Sequence, residues 1–152
     1  MFYGYFQIKI RNIMCLVINH LEPKIADEDI VCYKLVERTK IKGVYKSSFQ
    51  KFEYIIRQLY TNNLDIRFID KIIKNLSPAY TSLCIYVIEE GMFHSYASYL
   101  YPVILSPLPC GALLKCIIPK GAYYFKGYFD DCPSYASSQI KILEEIKYGK
   151  II

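Results

Sequence analysis

The chain has 152 residues, 53% of them apolar and 22% charged, with a formal net charge of +5. That length can bury one hydrophobic core. The composition excludes a disordered chain, which needs low hydrophobicity and high net charge. Sixteen Tyr, eight Phe and no Trp favour pleated, half-buried surfaces, so the composition leans toward sheet.

Met1–Ile13 (MFYGYFQIKIRNI) is aromatic and mildly basic. Its apolar runs are too short for a signal core or a membrane span. It is read as an extension ahead of a single domain over 14–152, with Met14 as an alternative start of translation. Ile13–Asn19 is a short continuous apolar run that suits a buried strand, and Ile30–Val36 is a second. Gly43 can turn the chain toward Val44 and Tyr45. Phe49–Tyr60 reads two ways. Ser48 could cap a helix with Phe52, Ile55, Ile56 and Leu59 on one face, while Phe52, Tyr54 and Ile56 alternate as in a strand. Leu64–Leu76 carries Ile66, Ile69, Ile72, Ile73 and Leu76 at helical spacing between Asn63 and Pro78, which predicts a helix.

Thr81–Glu89 returns to strand spacing, and Ser95–Leu100 is expected to make one or two helical turns before Pro102. Ser106–Gly111 is a loop, because its two prolines forbid regular pairing. Strands are then expected at Leu113–Ile118, at Ala122–Phe125 after the turn Pro119-Lys120-Gly121, and at Gln139–Ile146. These elements predict an α+β domain. It has a mainly antiparallel sheet of five to seven strands, one or two helices on one face, and the C-terminal hairpin beside the final strand.

Charge and cysteines narrow the setting. From Arg38 to Lys74, nine basic residues stand against Glu53, Asp65 and Asp70. No Arg-rich run or nucleic-acid motif accompanies this excess, so a solvated face is preferred to nucleic-acid binding. The six cysteines contain no Cys-x-x-Cys pair, and most lie in apolar runs, where Cys behaves as a small hydrophobe. Reduced thiols in a cytoplasmic protein are expected, with no metal, cofactor or membrane partner.

Few residues are left over for chemistry. His94 follows a glycine after a predicted strand and has Ser95, Tyr96, Glu89 and Glu90 close in sequence, so it is the candidate general base. Glu144, with Glu145 beside it, is the candidate carboxylate. Tyr96, Lys120, Tyr123, Tyr124 and Lys126 could stack on and hold a nucleotide-sized ligand. Cys15 would become an N-terminal nucleophile if translation began at Met14, but a buried strand cysteine is the simpler reading.

Two resemblances bear on function. A glutamate late in a strand after a Pro-Lys-Gly turn is similar to the layout of mono-ADP-ribosyltransferases. That family's early-strand Arg or His and its Ser-Thr-Ser element find no match here, and Tyr135-Ala136-Ser137-Ser138 only echoes the latter. The blocks Met14-Cys15-Leu16, Asp29–Lys34, Gly91–Tyr96, Cys116–Tyr124, Gly127, Tyr135-Ala136-Ser137 and Ile140–Glu144 together resemble small uncharacterised proteins of gut Bacteroides and their phages. This resemblance implies a phage or mobile-element setting and brings no catalytic residues. Three functions follow as expectations. The first is a binding protein, an accessory or counter-defence factor that captures a phosphorylated small ligand or a protein partner. The second is a transferase or hydrolase acting on a nucleotide-like substrate through His94 and a glutamate. The third is a structural or virion component whose tyrosines make contacts between copies in a homo-oligomer.

Overall fold

A computed structural model describes residues 16–18, 23–47, 52–62, 86–88, 92–100, 111–129 and 132–147. Every element assigned among them is a strand. In chain order these are β1 (Leu16–Ile18), β2 (Lys24–Ile25), β3 (Ile30–Arg38), β4 (Val44–Ser47), β5 (Glu53–Ile55) and β6 (Leu59–Thr61). They continue with β7 (Tyr86–Ile88), β8 (Phe93–Tyr96), β9 (Gly111–Ile118), β10 (Tyr123–Phe129), β11 (Cys132–Ser137) and β12 (Gln139–Ile146). The expected α+β class is therefore corrected to an antiparallel β fold. Strand spacing wins at Phe52–Tyr60, where Tyr54 is buried between exposed Glu53 and Ile55, so a helical stripe cannot form. Ser95 and Tyr96 belong to β8 rather than to a helical turn. The helix expected at 64–76 and the extension at 1–13 lie outside the described residues, as do Cys15, Glu89 and Glu90. No helix among the described residues is long and apolar enough to cross a membrane.

The strands form one antiparallel sheet in the order β6-β12-β9-β3-β8-β11-β10-β1-β7, with β2 added to β10 and β4-β5 added to β3. The longest pairing joins β3 and β9, from Ile30↔Ile118 to Glu37↔Gly111. β9, GALLKCII, is buried at nearly every position, whereas β3, IVCYKLVER, alternates buried Cys32, Lys34 and Val36 with more exposed neighbours. The first pattern is that of a strand covered on both faces, the second that of a strand covered on one. The turn after β9 forms as its residues dictate: Gly121 adopts φ 89°, and Ala122 N–H donates to Pro119 O at 3.0 Å. The two strands that leave this turn do not pair with each other, however. β9 lies beside the final strand β12, as expected, while β10 joins β11, β1 and β2. The C-terminal hairpin is thus a corner between two parts of the sheet.

The sheet forks at β3. One edge of β3 holds β9 throughout. The other holds β8 at Tyr33↔Tyr96 and β4 at Val36↔Ser47 through Arg38↔Tyr45. From β4 the chain continues into β5 and, through the tight turn Ile56–Gln58, into β6, which pairs with β12. Through this chain connection, rather than through pairing of β5 with β6, the strands β3, β9, β12, β6, β5 and β4 come round in a ring. The turn joining β5 to β6 is pinned to β12, since Arg57 N–H donates to Ile142 O at 2.8 Å and Ile142 N–H to Gln58 O at 3.0 Å. Side chains alternating inward from the ring make the core, with Cys32, Val36, Leu114, Cys116, Ile140 and Ile142 almost wholly excluded from water. A β-bulge between Ile142 and Glu144 shifts the phase of β12, so that Glu145 instead of Glu144 stands opposite Leu114 on the inner face. Glu145 there takes the Arg38 guanidinium at 2.5 Å and the Tyr45 hydroxyl at 2.8 Å. These contacts reach across the ring from β12 to β3 and β4.

Candidate functional site

The inner face of β3 reads Cys32, Lys34, Val36, so a lysine stands in phase with core residues. Lys34 is buried, only 8% exposed. Its ammonium donates to the carbonyl of His94 on β8 and lies 5.0 Å from the centre of the Tyr54 ring. Among the described residues the one ion pair is Arg38 with Glu145, and Lys34 has no carboxylate partner. An ammonium taken out of water is costly unless it is paired. One carbonyl and one π-face compensate only part of that cost, and two of the three donors of Lys34 remain for other acceptors.

The register places Ser95 beside this lysine. With Tyr33 opposite Tyr96, the next step along the antiparallel pair sets Lys34 against Ser95. The Ser95 hydroxyl is fully buried and makes no hydrogen bond. The Cys32 thiol is a close neighbour of this hydroxyl. Burial pushes Cys32 up to about 11, with Ser95 and the charge of Lys34 acting weakly in the opposite direction. Burial likewise raises the Cys116 thiol, directly across from Cys32, so neither is an activated nucleophile. Cys32 and Cys116 are free thiols.

Four aromatic rings pack beside the lysine. Phe52, Tyr54, Tyr60 and Phe93 meet edge to face or tilted at centroid distances from 4.9 Å to 6.5 Å. Tyr54 and Tyr60 come from β5 and β6, and Phe52 immediately precedes β5. The turn between these strands holds Arg57 at φ 67°, which makes Arg57 the non-glycine residue with a positive φ among those described. That conformation costs roughly 1–2 kcal/mol for an L-residue, a strain stored in the segment that brings Tyr54 to Lys34. Phe52, Ile55 and Leu59 are exposed along the same segment, so the aromatic cluster runs from the buried lysine to solvent.

The residues expected from sequence fall elsewhere. His94 is a mid-strand residue whose ring lies on the opposite face of β8 from Ser95, against Tyr96 at 5.0 Å and Phe129 at 4.8 Å. Its Nε2 is buried and unpaired. Burial, reinforced by the charge of Lys34, holds the imidazole down at about 3, so it is a neutral ring at physiological pH. Glu144 is exposed and pairs across the sheet with Lys115. It is separated from β8 by β9 and β3, about 14 Å along the sheet. The two candidate catalytic groups are not brought together.

The ligand-binding candidates are also divided. Tyr123 and Tyr124 are neighbours on one strand and point to opposite faces. Tyr124 packs on Tyr135 at 6.0 Å against the core cluster, and Lys126 stands opposite Tyr135. Tyr96 shares the face of His94. Lys120 lies in the turn, exposed, its backbone N–H bonded to Asp29 Oδ1 at 2.9 Å. Within the basic block, Lys46 stands between Glu37 and Glu53 on its two neighbouring strands, which cancels part of the local excess.

Lys34 and Ser95 were missed as a pair. The usable signal was a lysine at the buried phase of Ile30–Arg38, flanked two residues away on each side by Cys and Val. Comparison with family models, with curated proteins and with solved structures finds no match for this chain.

Proposed function

We propose that this protein binds a small anionic ligand inside the strand ring, with Lys34 as the group that receives the charge. The observation that carries the reading is a buried ammonium with no carboxylate partner among the described residues, on the same face as a buried hydroxyl that makes no hydrogen bond. Each is destabilising in the empty protein and each is answered by one anionic ligand. Binding requires no activated nucleophile and no acid–base pair. A catalytic pair of His94 and Glu144 has less behind it, because the two lie on different strands well apart. A protein of this kind would suit a phage or mobile element as an accessory or counter-defence factor that sequesters a phosphorylated or otherwise anionic signal.

The test is a thermal-shift panel of small anions, inorganic phosphate, nucleoside monophosphates and carboxylates included, on the wild type and on Lys34→Met. A ligand present at one hundred times its Kd stabilises the native state by about 2.7 kcal/mol, so a binder raises the melting temperature visibly. The expected result is a shift with at least one anion that disappears in Lys34→Met. A full panel without any Lys34-dependent shift overturns the reading.

A further inference from the structure

We infer that the ligand is a monoanion carried on a flat aromatic body, such as an aryl carboxylate or a cyclic phosphodiester of a nucleoside, and not a phosphomonoester dianion. This rests on the reading of Lys34 as the anion-receiving group and adds the charge and shape of what it receives.

Charge comes from counting. Lys34 is the buried cation of the ring, and its charge is unmatched among the described residues. The other cation of the inner face, Arg38, is already cancelled by Glu145, whose second oxygen is taken by Tyr45. One negative charge on the ligand makes a neutral buried pair. A second would remain uncompensated in a poorly solvated place, where an isolated charge is costly. The hydroxyl of Ser95 supplies a neutral donor for a second oxygen of the head, which a carboxylate and a phosphodiester both possess.

Shape comes from the rings. Phe52, Tyr54, Tyr60 and Phe93 are arranged edge to face rather than stacked. Such a cluster takes another flat ring in the same offset or T-shaped contacts. Tyr54 now lies over the ammonium, in the place that an anionic head would share. The exposure of Phe52 and Leu59 marks the end of the segment from which the body of the ligand reaches solvent.

Four probes separate the possibilities by titration calorimetry on the full chain: 2-naphthoate, its neutral isostere 2-naphthamide, cyclic AMP, and AMP as the dianion. The expected result is at least ten-fold tighter binding of 2-naphthoate than of 2-naphthamide, or of cyclic AMP than of AMP. The first pair identifies a carboxylate and the second a phosphodiester. Lys34→Met is expected to lose at least ten-fold toward the favoured monoanion and to leave 2-naphthamide unchanged. Ser95→Ala is expected to lose several-fold, and melting curves of both variants establish that they fold. Equal binding of acid and amide together with no preference for cyclic AMP overturns the inference. Lys34-dependent binding of AMP above cyclic AMP, with 2-naphthoate inactive, overturns it while leaving anion capture by Lys34 standing. Absence of Lys34-dependent binding by any probe and by the wider anion panel removes both.

Discussion

Adjacent residues of β8 bury polar atoms on opposite sides of the sheet, and the two sides treat them differently. On one side His94 puts an unpaired nitrogen among Tyr96 and Phe129, and burial keeps the ring neutral. On the other, Ser95 puts an unpaired hydroxyl on the face it shares with Lys34, in the core of the strand ring. A neutral orphan is a moderate structural cost. A cation beside an orphan donor, lined by aromatic rings, is an arrangement that a ligand can complete. The comparison teaches that an orphaned polar atom invites a ligand where a cation shares its face, and that condition is met on the inner side, although the histidine draws the eye to the outer one.

The largest effect should come from the ring that holds the lysine in place. Leu114 lies opposite Lys34 and is wholly buried. Leu114→Ala should cost about 2–5 kcal/mol, the range for a buried leucine truncated in a rigid core. A urea titration measures this as a lower midpoint. A loss below about 1 kcal/mol would mean that the ring is loosely packed there.

The outer face should announce itself through pH. His94 titrates near 6.5 when unfolded and at about 3 in the folded chain. Between those values the unfolded state binds a proton that the native state does not. Stability should therefore fall as pH drops below about 6.5, by at most about 1.4 kcal/mol per pH unit, and the slope should flatten toward pH 3. Replacing His94 by Phe should remove that slope between pH 6.5 and pH 4.5 in denaturant titrations. An unchanged slope would show that the imidazole reaches water. On the inner face the sign is reversed. Lys34→Met keeps an unbranched side chain one atom shorter and removes a buried charge, so it should stabilise the empty protein by on the order of 1 kcal/mol while abolishing anion binding. A residue whose removal improves stability and ends binding is one retained for function. A clear drop in melting temperature for Lys34→Met would instead give the lysine a structural role.

Individual strands and turns could be read from residue order, for identifiable reasons, while the fold class could not. Gln139–Ile146 was expected and found with the same bounds, and Gly43 and Gly121 turn the chain where a positive φ is needed. β11 was not expected, because Cys132-Pro-Ser-Tyr-Ala-Ser lacks branched side chains and begins with a proline-containing step. Its strand character comes from β8 and β10 on either side. The fork at β3 has no local signature, since it depends on which of three strands reaches each edge. The same holds for the site. Ser95 and Lys34 meet through pairing between strands some sixty residues apart, and sequence spacing carries no information about that.

Glu144 and Glu145 give the smallest and most specific test. Strict alternation from Ile140 and Ile142 would turn Glu144 inward, and the bulge after Ile142 turns Glu145 inward instead. The Glu145 carboxylate closes the ring by accepting from Arg38 and Tyr45, and burial, with this carboxylate after it, pushes the Tyr45 phenol up to about 12. Arg38 remains about half exposed, its side chain 46% accessible, so screening limits what the pair contributes. Glu145→Gln should cost about 0.5–1 kcal/mol and bring the Tyr45 phenol down toward its ordinary range, read by ultraviolet titration of tyrosinate. Glu144→Gln, on the exposed outer face opposite Lys115, should stay within about 0.5 kcal/mol of the wild type and leave the phenols alone. If the two substitutions exchanged their effects, the bulge would be absent and the inner face of β12 would be the one that simple alternation draws.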